Sequence, residues 1–438
     1  MANRAPIVAI VGRTNVGKSS LFNAILGRRE AITAKEEGTT RDSLTARASW
    51  QGKDFWLVDT AGLKNAEDEF ELTIQEQISE AAATADLIVV VVAADNTITE
   101  EDRRVATLAL KSRRPVVLAV NKIDTNRRAK LDDWRRLGIK VIIGTSATQK
   151  TGLEQLLDQV VAELPAAKIK SAPNLISVGL LGRPNVGKSS LFNALAKKQQ
   201  AIVSERAGTT RDVNRISLRY EGREIELADT AGIRRSGKIE RGVEKFSVLR
   251  ALSAIEQSDI CLVLMDVNEL HVQLDQKIAG LVKEAGKGLV LVVSKWDSFE
   301  KDAYSRDQLA ADIAVNFVFV PWAPLVFTSS ETGQNVSKLL ELILDIDSSR
   351  HQKFKTAELN KWLQQAIAQH PPAGLKNRLP KLNYIAQEGD SDMPSFKVFG
   401  SHTKFLHWSY KRYLDRSFRE KWPLSGTPLK FWFIDKRA

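Results

Sequence analysis

Residues 12–25 of this 438-residue chain read Gly-Arg-Thr-Asn-Val-Gly-Lys-Ser-Ser-Leu-Phe-Asn-Ala-Ile. Residues 182–195 repeat them with only Pro184 for Thr14 and Leu195 for Ile25 changed. Two more segments recur in step: Gly38-Thr-Thr-Arg-Asp42 returns as Gly208-Thr-Thr-Arg-Asp212, and Asp59-Thr-Ala-Gly62 as Asp229-Thr-Ala-Gly232. Each is displaced by 170 positions (182 − 12, 208 − 38, 229 − 59). A constant offset across three separate segments means that one unit is present twice, so the chain must fold into two copies of one architecture. Two such copies leave a third unit at the C-terminal end, in a chain already longer than one hydrophobic core can serve.

Within each copy, short Val- and Ile-rich runs alternate with amphipathic stretches, which predicts an α/β fold with a mainly parallel sheet flanked by helices. In the first copy the strands are expected at Ile7–Val11, Thr45–Trp50, Phe55–Val58, Leu87–Ala93, Val116–Val120 and Val141–Ile143. A hairpin is expected at Gln51-Gly52-Lys53. The second copy gives Ile216–Tyr220, Ile225–Ala228, Ile260–Met265, Leu289–Val293 and Val326-Phe327, with a hairpin at Glu221-Gly222-Arg223. Helices are expected at Ser19–Leu26 and Gly152–Leu164. The proline-bracketed segment 165–174 reads as a linker. The domain boundaries that follow are 1–164, 175–348 and 349–438. In the last unit, helical spacing over Thr356–Ala368 with Thr356 as N-cap, strands at Lys381–Ala386 and Ser395–Phe399, a helix over Leu406–Trp422 and a strand at Leu429–Ile434 predict a compact α+β domain.

The repeated segments match G-x-x-x-x-G-K-[ST], a glycine-rich turn whose backbone amides cradle phosphate at a helix N-terminus. Gly12, Arg13, Thr14, Asn15, Val16, Gly17, Lys18 and Ser19 form the first cradle, and Gly182, Arg183, Pro184, Asn185, Val186, Gly187, Lys188 and Ser189 the second. Lys18 and Lys188 place a full charge against the β- and γ-phosphates, and the Ser19 and Ser189 hydroxyls suit Mg²⁺. Asp59 and Asp229 are expected to hold the same ion, and Thr40 and Thr210 to complete its shell only in the triphosphate state. Thr60, Ala61, Gly62 and Leu63, with Thr230, Ala231, Gly232 and Ile233, continue the loops; the amides of Gly62 and Gly232 can approach the γ-phosphate. Leu63 and Ile233 stand where a water-orienting glutamine would act, and an apolar side chain cannot orient water. Asn15 and Asn185 are therefore the candidates to hold a monovalent cation at the phosphates.

Base choice falls to Asn121, Lys122, Ile123 and Asp124, because Asp124 can accept from both the ring N–H and the exocyclic amine of guanine. Ser146 and Ala147 fit a loop whose backbone amide meets the guanine carbonyl. In the second copy Ser294, Lys295, Trp296 and Asp297 replace the first set, and Ser329 and Ser330 the second. Ser294 lacks the amide that can tie its loop to the phosphate loop, so the second site is expected to bind less tightly. Asp124 and Asp297 oppose an ATPase.

Composition sets limits on the rest. The sequence carries 64 Lys and Arg against 53 Asp and Glu, and residues 350–438 hold 17 of the bases and 7 of the acids. Almost all of the net +11 thus sits in the last 89 residues, an electrostatic footprint for a polyanion. No apolar run reaches the ~20 residues of a membrane helix, and the single Cys261 lies inside an apolar run. A cytoplasmic chain is expected. Arg412, Arg416 and Arg419 fall at helical spacing with Lys411 and Lys421 nearby and are expected to share a face that tracks a phosphate backbone. Trp408, Tyr410, Tyr413, Trp422 and Trp432 are expected to be mostly core.

On these motifs, with Arg241-Gly-Val-Glu-Lys-Phe-Ser-Val-Leu-Arg250, Thr356-Ala-Glu-Leu-Asn360, Tyr410-Lys-Arg-Tyr-Leu414 and Gly426-Thr-Pro428, the chain resembles the bacterial double-GTPase family called Der or EngA over essentially its whole length. The resemblance implies two tandem P-loop GTPase domains and a KH-like C-terminal domain. It also implies two GTP/GDP sites with Mg²⁺ and K⁺, and a role in assembling the large ribosomal subunit through its rRNA. Assembly-factor proteins are further expected partners, and a monomer the expected state. The linker, short and basic, departs from the acidic linkers common in that family. The C-terminal glycines, at 374, 389, 400 and 426, are never three apart, so the G-x-x-G clamp of KH domains is missing. The competing expectation is a nucleotide-gated protein-interaction module with negligible turnover.

Overall fold

The computed structural model describes residues 4–28, 45–60, 74–95, 97–126, 130–165, 175–198, 214–229, 248–299, 304–372, 374, 378–389 and 391–435. They form two compact units, one built around the first repeat and one holding the second repeat and the C-terminal domain.

The first unit contains β1 (Ile7–Val11), α1 (Lys18–Leu26), β2 (Thr45–Trp50), β3 (Lys53–Asp59), α2 (Ile74–Thr84), β4 (Leu87–Ala93), α3 (Glu100–Lys111), β5 (Val116–Asn121), β6 (Val141–Gly144) and α4 (Leu153–Glu163). Its sheet runs β2-β3-β1-β4-β5-β6, parallel except for the β2–β3 pair. The inner strands are continuous apolar runs because helices cover both faces, and every residue of β1 and β4 is buried. The hairpin turns on Gln51 at φ 49° and Gly52 at φ 78°, two positive values in a two-residue loop, as strand twist demands.

The second repeat gives β7 (Leu175–Gly182), α5 (Lys188–Lys198), β8 (Asn214–Tyr220), β9 (Arg223–Asp229), α6 (Val248–Glu256), β10 (Ile260–Asp266), α7 (Gln273–Glu284), β11 (Gly288–Ser294), α8 (Ser305–Asn316), β12 (Leu325–Phe327) and α9 (Val336–Arg350). The sheet order repeats as β8-β9-β7-β10-β11-β12. Cys261 lies within β10, and burial pushes its thiol up to about 12. Helix α9 runs on to Arg350, two residues beyond the boundary read at 348.

The C-terminal domain is α10 (Thr356–Gln369), β13 (Lys381–Gln387), β14 (Ser395–Ser401), α11 (Trp408–Lys421) and β15 (Lys430–Asp435), with β14 central, antiparallel to β13 and parallel to β15. Thr356 is not the N-cap of α10: Lys355 occupies that place and offers no side-chain cap, and Thr356 is the first helical residue. An aromatic cluster forms the core, with Phe396 and Phe418 centroids 4.8 Å apart and Trp362 and Phe418 5.0 Å apart. Tyr410 is buried and its hydroxyl donates to the His370 carbonyl; Tyr413 donates to that of Ala366. Trp422 packs on the same core, whereas Trp408 and Trp432 are 45% and 37% exposed.

The expected arginine face is corrected. Arg412 and Arg416 are exposed, but Arg419 turns inward, donating to Asp415 and to the carbonyls of Leu424 and Thr427 with its guanidinium 5.5 Å from the Trp322 ring. Residues near positions 424–427 are folded against the second repeat, which recruits the arginine. Among the described residues no helix is long and apolar enough to cross a membrane.

Gly426 joins this domain to the second sheet. Its carbonyl accepts from Leu289 N–H at the start of β11, and its N–H donates to the Trp322 carbonyl, each at 2.8 Å. Its φ is +64°, and an added Cβ would lie 2.3 Å from Ile346 Cδ1. Gly426→Ala is therefore expected to destabilise this unit by about 2–4 kcal/mol, the sum of a left-handed backbone and an overpacked contact. Urea-induced unfolding checks this: a transition at the wild-type midpoint would contradict it.

Candidate functional site

Strand β1 ends at Val11 and α1 begins at Lys18, and the intervening turn reverses through Asn15 at φ 64° and Gly17 at φ 90°. Gly12 has no room for a side chain, since a Cβ would sit 2.4 Å from the Val91 carbonyl oxygen. Val16 is fully buried beneath the turn and pins it to the core. No side chain caps α1, and its first turn carries no acidic residue, so its amides stay available to an external anion. The second copy repeats the turn, with Asn185 at φ 63°, Gly187 at φ 91° and Val186 buried.

Lys18 is 5% exposed and folds back into this turn, donating to the carbonyls of Gly12 at 2.7 Å and Arg13 at 2.6 Å. Burial holds its pKa below the ordinary lysine value, although Asp59 pulls it upward. Lys188 does the same to Gly182 and Arg183, at 3.1 and 2.6 Å. Each ammonium is thereby aimed at the concavity while its stem is immobilised.

Beside each lysine a hydroxyl meets a carboxylate. Ser19 donates to Asp59 at 2.5 Å, and Ser189 to Asp229 at 3.0 Å. Both aspartates are buried at the ends of β3 and β9. This all-oxygen pair at the lip of a phosphate cradle fits Mg²⁺, which takes few protein ligands and completes its shell with phosphate and water. Thr60 is fully buried and donates to the Ile10 carbonyl. Thr40, Ala61, Gly62, Leu63, Thr210, Thr230, Ala231, Gly232 and Ile233 lie outside the described residues.

At the end of β5, Asn121 is a hub. Its Nδ2 donates to Val16 O at 3.0 Å, and its Oδ1 accepts from Ala147 N–H at 3.2 Å, tying the phosphate turn to the Thr145–Ala147 loop. The packing is tight enough that a Cβ on Gly17 would meet Asn121 Nδ2 at 2.4 Å. Ser294 does not simply lose this tether, as its sequence suggested. Its hydroxyl lies 2.6 Å from Val186 O and 3.0 Å from Met265 O, so one link to the phosphate turn survives. Neither bond reaches the Thr328–Ser330 loop, and a Cβ on Gly187 would stand 3.9 Å from Ser294, an open fit where the first site is closed. Ser146 and Ser329 are buried, each accepting from an amide of its own loop, Gln149 N–H and Thr332 N–H.

Asp124 and Asp297 are exposed at the rim. Lys122 and Lys295 take left-handed backbones, φ 64° and 55°, and pair with Asp95 and Asp266. Trp296, expected among the nucleotide contacts, is buried against Phe299 and Phe327 and supports the loop from below.

The arginine of each turn is held from behind. Arg13 Nε donates to Asp102, which also closes a capping box with Thr99 at the start of α3. Arg183 donates to Asp275 and Glu269, but α7 begins without a side-chain cap, and burial pushes Asp275 up to about 6 despite the arginine. Sequence reading missed Asp102 and Asp275; the Thr99-x-x-Asp102 spacing was the available signal.

A chain that builds this arrangement twice is a tandem P-loop GTPase, hydrolysing GTP to GDP and phosphate. The family described as "50S ribosome-binding GTPase" matches residues 7–122 and 177–295, and the "KH-domain-like of EngA bacterial GTPase enzymes, C-terminal" matches residues 353–433. "GTPase Der" of Herpetosiphon aurantiacus is 41% identical over 433 residues, covering 97% of this chain and 95% of that one. Its namesake from Chloroflexus aggregans is 42% identical over 98% of this chain and 97% of its own length, and that of Streptococcus gordonii 39% over 97% and 98%. The chain belongs to the Der, or EngA, family.

Two outcomes follow from the differences between the sites. Asn121→Ser, measured calorimetrically in a Lys188→Ala background, is expected to weaken GDP binding about threefold to tenfold, the cost of one bracing hydrogen bond of ~0.5–1.5 kcal/mol. As pH falls through about 6, Asp275 takes up a proton and its ion pair with Arg183 is lost, leaving the guanidinium to Glu269 alone. GDP affinity in a Lys18→Ala background should then drop severalfold between pH 7.5 and 5.5, more than in the Lys188→Ala background. Asp275→Asn should remove the difference.

Proposed function

We propose that both sites bind and hydrolyse GTP with Mg²⁺ and K⁺, and that the exchange of GTP for GDP governs attachment of the chain to the large ribosomal subunit and its rRNA during assembly. The observation that carries the reading is the twice-built cradle, with a buried lysine beside a serine–aspartate pair and an exposed aspartate at the rim.

In this scheme Lys18 and Lys188 steady the β- and γ-phosphates, and Ser19 with Asp59, and Ser189 with Asp229, hold Mg²⁺. Thr40 and Thr210 join that shell in the triphosphate state, and the Gly62 and Gly232 amides receive the γ-phosphate. Asp124 and Asp297 select guanine. Asn15 and Asn185 are exposed at the lip of each turn, and their carboxamide oxygens suit a monovalent cation beside the phosphates. A monovalent cation at the asparagines and Mg²⁺ at the serine–aspartate pairs would supply positive charge against that developing on the phosphate oxygens. The apolar Leu63 and Ile233 leave this electrostatic route as the source of rate.

Attachment to the large subunit is supported by the description of the matching family and by the basic surplus of residues 350–438. Domain boundaries at 164, 175 and 348, a monomeric state, a cytoplasmic location and contacts with assembly-factor proteins complete the reading.

Replacing K⁺ by Na⁺ is expected to slow phosphate release severalfold or more, and Asn15→Ala with Asn185→Ala to remove the K⁺ dependence. Equal rates in both salts would sink the cation role. Co-sedimentation with ribosomal subunits, run beside the assay, separates this reading from a nucleotide-gated protein-interaction module, which would release negligible phosphate.

A further inference from the structure

The three-stranded sheet of the C-terminal domain has one covered face and one open face. Leu382, Ile385, Phe396, Val398, Phe431 and Phe433 point into the core shared with α10 and α11. Strand alternation sends their neighbours to the other side. There Tyr384, Phe399 and Ile434 form one cross-strand row, and Ala386, Lys397 and Trp432 the next. Tyr384 is 43% exposed and lies 6.0 Å from the Phe399 ring. Lys430 holds its ammonium 3.9 Å from the centre of the Trp432 ring.

The chemistry of the open face is uneven in a way that points to one occupant. Its outward strand positions carry Lys381, Lys397 and Lys430 and no carboxylate among the described residues; Glu388, one residue past β13, pairs with Lys397 at 2.9 Å. A face kept only for solubility has no use for an exposed tyrosine and tryptophan, and lysines between flat rings suit a polyanion that also offers rings. Unpaired RNA is such a partner. Bases in a duplex are hidden from a flat surface, whereas splayed bases stack on aromatics, whatever their identity. The missing G-x-x-G loop removes the backbone clamp that a KH domain would otherwise use.

We infer that the open face of β13, β14 and β15 is a stacking platform for unpaired RNA, with bases on Tyr384 and Trp432 and with phosphates beside Lys381 that draw Lys430 off the Trp432 ring and Lys397 off Glu388. The inference rests on the ribosomal reading above and places its RNA contact on the sheet rather than on the arginines of α11.

The test uses the full chain and two fluorescein-labelled probes, a 12-nucleotide oligoadenylate and a 12-base-pair RNA duplex, read by anisotropy over a salt series. Trp432→Ala and Tyr384→Ala are expected to weaken oligoadenylate binding by between about fivefold and a hundredfold each. Duplex binding should change little. Trp432→Phe should retain most of the affinity and guards against a folding artefact, as does an unchanged rate of GTP hydrolysis. Lys397→Gln and Lys430→Gln should each lower the log–log salt slope by ~0.7. Wild-type affinity for oligoadenylate in both alanine variants, or equal losses on duplex and single strand, overturns the inference and leaves the face to a protein. Failure of the ribosomal reading is seen separately: wild-type chain that binds oligoadenylate through Trp432 yet does not sediment with large subunits keeps the platform and removes the proposed target.

Discussion

Everything in each catalytic unit is arranged around a lysine that ought not to be buried. Lys18 and Lys188 carry a cation into the root of a tight turn, where two backbone carbonyls accept from it. Those carbonyls converge because Gly12 and Gly182 sit against the neighbouring strand with no space for a Cβ, and Val16 and Val186 anchor the far side of the turn. The strand pairing of β1 with β3 and β4 then sets the distance to Asp59. The turn proposed to receive phosphate is thus a consequence of how the central strand ends.

Much of this was legible in the sequence because its determinants are local. Glycine spacing, the apolar runs and the Gln51-Gly52 turn act over a few residues, and each strand read from pattern reappears with its ends moved by a residue or two. The turn between β1 and α1 was readable for the same reason. What could not be read depends on contacts between distant positions. The Ser294 hydroxyl reaches Val186 across 108 residues, and no composition argument reveals that a shorter side chain still closes one of two links. Asp102 and Asp275 escaped notice because their role comes from what lies behind the turn. Trp296 stands inside a recognition motif, and its bulk fills the core under the loop.

Charge gives the same lesson at larger scale. The basic surplus of the last domain is a property of its formula, but part of it is spent internally. Arg350 is buried and donates to the Gly286 carbonyl, and Arg419 is committed to Asp415 and two carbonyls. The open sheet carries its charge differently, with Lys397 paired to Glu388 and Lys430 resting on the Trp432 ring. The aromatic residues divide likewise: Tyr410, Tyr413 and Trp422 build the core, while Trp408 and Trp432 stay outside it.

The stitch at Gly426 also fixes an order of events during synthesis. The sheet and core of the first repeat lie wholly within residues 7–164, which leave the ribosome early and hold every strand of that sheet. The second sheet is different, because the amide of Leu289 at the head of β11 finds its partner only in the carbonyl of a residue 137 positions later (426 − 289). Until that segment is released, β11 carries an unanswered amide and Ile346 lacks the neighbour it packs against. A newly made chain therefore passes through a stage in which one catalytic unit is finished and the other waits for the segment between α11 and β15 that carries Gly426.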